Sequence, residues 1–205
     1  MRMIKPARLA VVASACAVLA GCAVKAPLPS SWTVVGRGQA PAAALAKDGP
    51  ALAIARCTAA AEVRTTDLTW RSDDGRQLNR TDDRWVDYPD RMLEDLARET
   101  LLASGRFASV NSVPSPVPVD AVLQVRVLDF TEWHAEGGTE VRVAIEWRLR
   151  RGTGEPLGQD IVRTAAPLAE KSVAGAVRAY QAASDDAMKR LIEAIVAATS
   201  LQREG

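Results

Sequence analysis

Thr139-Glu140-Val141-Arg142-Val143-Ala144-Ile145-Glu146-Trp147-Arg148-Leu149-Arg150 decides the fold. Every odd position from Val141 to Leu149 is large and apolar, and every even position except Ala144 is charged. Side chains on a strand alternate between two faces, so this segment buries one face against a core and wets the other. That one-sided pattern is typical of antiparallel sheets, whereas strands of a doubly covered parallel sheet are apolar on both faces.

Working outward, Gly137-Gly138 and Gly152-Thr153-Gly154 supply turns at either end. Leu157 to Ala166 reads as the next strand. Upstream, Asp120 to Phe130 alternates with Leu123, Val125 and Val127 on one face, and the pattern slips at Leu128-Asp129, which predicts a bulge. Pro114, Pro116 and Pro118 force a loop before it, and Phe107 to Val110 reads as a short strand. Asp67 to Arg71 and Arg76 to Arg80 flank the turn composition Ser72-Asp73-Asp74-Gly75 and form a hairpin. Ala51 to Cys57 is an apolar run of strand length.

Two helices complete the pattern. The first opens at Pro89, where a missing N–H costs nothing, places Met92, Leu93, Leu96, Ala97, Thr100 and Leu101 on one face, and stops at Gly105. The second, capped by Ser172, carries Val173, Val177, Tyr180, Ser184, Ala187, Leu191 and Ile195 at i, i+3, i+4 spacing. The expected architecture is α+β, a mainly antiparallel sheet packed against two main helices, over residues 51–205.

The N-terminus is of another kind. Arg2, Lys5 and Arg8 precede an apolar run from Leu9 to Ala20, the layout of a secretory signal and too short to span a bilayer. It ends Leu19-Ala20-Gly21-Cys22, which resembles a bacterial lipobox. The resemblance implies cleavage of residues 1–21 and attachment of diacylglyceryl and a palmitate-type acyl group to Cys22, an anchor of more than one chain and therefore a stable one. Ala23 in place of Asp implies, by the same resemblance, export to the periplasmic face of the outer membrane. Residues 22–50, with Pro27, Pro29, Pro41 and Pro50, read as a flexible tether reaching about 28 Å. Trp32-Thr33-Val34-Val35 is a short piece within it that could pair with the domain's edge.

Losing Arg2, Lys5 and Arg8 takes the net charge from +1 to about −2, which excludes nucleic acid as an evident partner. With Cys22 lipidated, Cys57 has no cysteine to pair with and reads as a small buried hydrophobe. Nothing points to an enzyme, a cofactor or a metal. His134 is the only histidine, Asp82-Asp83 and Asp185-Asp186 are adjacent pairs that diverge, and no nucleophile elbow or phosphate loop occurs. Trp85, Tyr88 and Trp133 are candidate partner-binding residues, because exposed aromatics anchor interfaces; alternatively they staple helix and loop onto the core.

The order of these elements resembles the ABC-type transport auxiliary lipoproteins, the PqiC-like group. The residues that carry the likeness are the lipobox, Leu68-Thr69-Trp70-Arg71, Trp85-Val86-Asp87-Tyr88-Pro89 opening the helix, Leu101 to Val110, Val119 to Val125, the alternating strand and the Ala-rich final helix. The first aromatic strand of that family has only Trp32-Thr33-Val34 as its counterpart, and Asp120-Ala121-Val122 stands where Asp-Tyr is usual. The resemblance implies a non-catalytic outer-membrane lipoprotein of an intermembrane lipid-transport system. Its partners would be a periplasmic MCE-domain protein and, through it, an inner-membrane ABC transporter, with a homo-oligomeric ring as one form of assembly. The alternative from another class is a lipoprotein that activates a peptidoglycan synthase or assists secretion machinery.

Overall fold

A computed structural model describes residues 30–35 and 46–200. The expected signal peptide (1–21), Cys22 and the tether residues 23–29 and 36–45 lie outside the described residues. The strands are β1 (Ser30–Trp32), β2 (Ala51–Ile54), β3 (Thr58–Ala59), β4 (Asp67–Ser72), β5 (Gln77–Trp85), β6 (Ser109–Ser112), β7 (Ala121–Ala135), β8 (Gly138–Arg151) and β9 (Pro156–Pro167). The helices are α1 (Pro89–Ala103) and α2 (Val173–Ser200).

β7 is the spine of the sheet. Along one edge it pairs antiparallel with β8, which pairs antiparallel with β9. Along the other edge three short strands, β2, β3 and β4, pair with it in succession, all parallel. β6 joins β2 in parallel, β5 joins β4 as an antiparallel hairpin, and β1 adds to β5 in parallel. The sheet is therefore mixed, which corrects the mainly antiparallel expectation. Alternation reports which face is buried and says nothing about strand direction, so short segments returning parallel to a distant spine leave no local signal.

The core lies between the inner face of this sheet and both helices. Val141, Val143, Ile145, Trp147 and Leu149 are all buried, as their spacing requires. The expected bulge is present: Leu128 and Asp129 together oppose Ala144, and the register shifts there. Leu123, Val125 and Val127 face inward before it; Phe130 and Glu132 face inward after it. In a regular pleat of the same residues, with Leu128 and Asp129 on opposite faces, Phe130 would point to water.

Local signals at the helices are also met. The Ser172 hydroxyl accepts the Gly175 N–H at 3.0 Å and caps α2, and Gly105 leaves α1 with φ +64°. Val173 and Val177 are only half-buried, because the inward face of α2 is carried by Ala176, Ala179, Tyr180, Ala183, Ala187, Leu191 and Ile195.

Part of the expected tether belongs to the packing. Besides the β1 pairing, Val34 is buried, and the Gln181 side chain both accepts the Val35 N–H (2.9 Å) and donates to the Val35 carbonyl (2.8 Å). The Trp32 indole donates to Asp83 at 2.8 Å. The Ala46 N–H donates to the Phe107 carbonyl, and Ala108 donates to that of Pro50.

Inserting one alanine between Asp129 and Phe130 turns Phe130 and the rest of β7 to the opposite face. The expected result is loss of cooperative thermal unfolding; a variant melting at the wild-type temperature would show that the bulge does not set the register.

Candidate functional site: an acid-rimmed groove beside the first helix

The segment Trp85-Val86-Asp87-Tyr88-Pro89 joins β5 to α1 and builds the site. Trp85 points inward at the end of β5, so Val86 must point out; its N–H donates to the Trp32 carbonyl at 2.8 Å, which holds β1 alongside. Tyr88 has extended backbone (φ −63°, ψ 145°), as a residue before proline prefers, and Pro89 starts α1. The Asp87 carboxylate accepts the Tyr88 N–H at 2.7 Å.

Between residues 33–35 and α1 lies a cavity of about 560 Å³. Val34, Met92 and Leu96 form its buried floor. Val35 (53% exposed) and Val86 (57% exposed) are its lips, and Asp87, Asp95 and Glu99 stand exposed around it. Tyr88, 41% exposed, adjoins it in sequence, with the Arg64 guanidinium 5.8 Å from its ring centroid. Asp95 pairs with Arg98 at 3.9 Å, and a recess with apolar floor and lips and a mostly acidic rim is suited to a segment that carries both apolar side chains and positive charge.

The three aromatics named from sequence do not come together. Trp85 is 3% exposed: it meets Tyr180 edge-on at 4.9 Å and Phe130 at 5.4 Å, which makes it a core residue and corrects its reading as a partner anchor. Trp133 lies at the opposite end of the β4–β5 hairpin, where β7 pairs Arg71, with its indole donating to Asp73 at 3.1 Å and the Arg142 guanidinium 4.2 Å above its ring. None of the three lines the groove; Tyr88 is exposed next to its rim residue Asp87. Val35 and Val86 were missed because neither is aromatic; the available signal was the alternation that forces Val86 outward once Trp85 is inside.

A second cluster sits on the inner face beyond the bulge. Glu132, 1% exposed, accepts two hydrogen bonds from Arg80 (3.0 and 2.8 Å) and lies 2.7 Å from His134 Nε2. His134 in turn packs on Trp70, with ring centroids 4.7 Å apart. The bulge turned a carboxylate toward the core, and the Arg80 guanidinium neutralises it. No group of His, Cys, Asp or Glu among the described residues could hold a metal ion. Cys57 is buried and its thiol is pushed up to about 12 by that burial and by nearby Glu94, so it stays protonated, as a packing residue does.

The domain is a two-layer α+β fold with this groove open on its helix side. The chain belongs to the family of ABC-type transport auxiliary lipoprotein components, whose family model matches residues 35–192. Among solved structures it is similar to protein XCC0632 from Xanthomonas campestris, at 17% identity over 86% of this chain and 98% of that one, with a TM-score of 0.73. It is also similar to an uncharacterized protein at 13% identity, over 82% and 99% of the two chains, with a TM-score of 0.63. These likenesses establish the fold. No curated protein matches the chain significantly.

The two neighbouring aromatics should separate cleanly. Trp85→Ala is expected to cost roughly 3–5 kcal/mol in denaturant unfolding, as buried aromatic truncations do, and Tyr88→Ala less than about 0.5 kcal/mol. Equal costs would contradict the assignment of Trp85 to the core and Tyr88 to the surface.

Proposed function

We propose that this chain is a non-catalytic, lipid-anchored docking subunit on the periplasmic face of the outer membrane. The lipid on Cys22 holds it to the bilayer, and the groove beside α1 receives a periplasmic MCE-domain protein that leads to an inner-membrane ABC transporter. The observation that carries this reading is the family match over the folded domain, joined to a groove on that same domain with exposed apolar lips. No described helix is long and apolar enough to cross a membrane, which is compatible with attachment through Cys22.

The mechanism is mechanical. Ser30, the first residue of β1, follows Cys22 by eight residues, which extend to at most about 28 Å. The domain is thus held at the membrane surface, and the transport energy comes from the distant ATPase. Pairing of β1 with β5 and the Gln181 clamp on Val35 fix one wall of the groove to the anchored segment, so a load on the partner passes through hydrogen-bonded backbone to the anchor. Val35 and Val86 supply apolar contact, with Tyr88 beside them in sequence; Asp87, Asp95 and Glu99 select a basic approach.

The test is a crosslinked pull-down of the full-length protein from its native envelope, beside a Val86→Glu variant that puts a charge on an exposed lip without entering the core. Wild type should recover an MCE-domain protein, and the variant should lose most of that recovery while melting within a few degrees of wild type. Recovery of a peptidoglycan synthase or a secretion component with no MCE-domain protein would overturn the reading.

A further inference from the structure

The sheet face turned away from both helices carries an uneven charge. Register places Arg126 on β7, Arg142, Arg148 and Arg150 on β8 and Arg163 on β9 on this outer face. Arg56, from the β2–β3 connection, joins Arg126 and Arg148 around a recess of about 280 Å³ that also holds Gln124, Thr58 and Glu146. Arg142 and Arg148 are paired with Glu140 and Glu146, each at 2.7 Å. Arg56, Arg126, Arg150 and Arg163 are exposed and make no ion pair with any described residue. The processed chain is net negative, so this is a segregated positive surface with its acidic counterpart at the groove on the helix layer.

The large apolar side chains exposed among the described residues are Val35, Leu78, Val86, Tyr88, Val113 and Val117, and none belongs to β7, β8 or β9. Protein interfaces are organised round a desolvated apolar centre that is depleted of charge. On this face large apolar side chains such as Val122, Trp133 and Ile161 are half-buried and set among the charged ones rather than grouped at a centre. Arginine forks spread over a hydrated surface match phosphate oxygens instead, which they bind in pairs without being dehydrated.

We propose that the outer face of β7–β8–β9 lies on the anionic phospholipid headgroups of the membrane that holds Cys22, with the recess at Arg56, Arg126 and Arg148 seating a headgroup phosphate. The short span from Cys22 to Ser30 keeps the face at high effective concentration over that surface. The inference rests on the Cys22 anchor and is independent of which protein fills the groove. Lying on this face directs the helix layer, and the groove with it, toward the periplasm.

The experiment uses the full-length lipidated protein on vesicles of phosphatidylethanolamine and phosphatidylcholine, with or without added phosphatidylglycerol. Phenylglyoxal modification of each arginine is read by peptide mass spectrometry. Arg56, Arg126, Arg150 and Arg163 should react several-fold more slowly on the phosphatidylglycerol vesicles at low salt and recover at high salt, while Arg98 on α1 and Arg178 on α2 keep one rate throughout. An Arg126→Gln, Arg163→Gln double variant should lose most of the protection at Arg56 and Arg150. Flotation with both vesicles but uniform labelling would overturn the headgroup face alone. Failure to float with either would overturn the anchor and the proposal together. Protection seen only in native envelopes would assign the face to a protein.

Discussion

One inserted residue in β7 governs the rest of the structure. The apolar pattern of the fifteen-residue β7 slips by one residue between Val127 and Phe130, and the bulge at Leu128-Asp129 absorbs the slip so that both halves face the same helices. The first half packs Leu123, Val125 and Val127 under the helices. The second half brings Phe130 under Tyr180 and Trp85, three rings within 5.4 Å of one another. The Tyr180 hydroxyl then reaches the Thr69 carbonyl at 3.2 Å and ties α2 to β4. Trp85, fixed from below, sets where β5 ends and hence where Val86, Tyr88 and α1 begin. The groove is positioned by that chain of contacts. The same reset leaves Asp129 facing outward but largely covered, where burial raises its carboxyl above the usual range against the opposing pull of Thr131, Arg71 and Arg142.

What the sequence discloses follows the range of the interaction. Interactions confined to neighbours were legible: the alternation of β8, the Gly75 turn with positive φ, Pro89 at the first turn of α1, the Ser172 cap and the bulge itself. Pairing across long separations was not. β2, β3 and β4 each meet a different third of β7, and strands of two to six residues cannot encode which third or which direction. Burial of a lone aromatic was equally opaque, because Trp85 and Tyr88 are three residues apart with similar composition around them and take opposite fates. The exposed valines of the groove carry no compositional mark at all; they matter because β1 and α1 converge there.

Two surfaces of opposite character result from these packing rules. The helix layer bears an apolar groove ringed by carboxylates, and the bare sheet face bears arginines in excess. Binding modules that are held to a membrane need both a side that tolerates the headgroup layer and a side that meets a partner. A two-layer fold supplies them without further elements, because one face of its sheet is never covered. β1 lies on the sheet edge beside the groove, and the Val86 N–H donates to the Trp32 carbonyl, so the sheet and one wall of the groove are joined by backbone hydrogen bonds.

The measurement that tests this division most directly is site-specific photocrosslinking of the full-length protein in its native envelope, with the photoreactive side chain placed at Tyr88 in one sample and at Arg163 in another. The account predicts protein adducts at Tyr88, led by an MCE-domain protein, and lipid adducts at Arg163. Protein adducts at Arg163 with none at Tyr88 would contradict it.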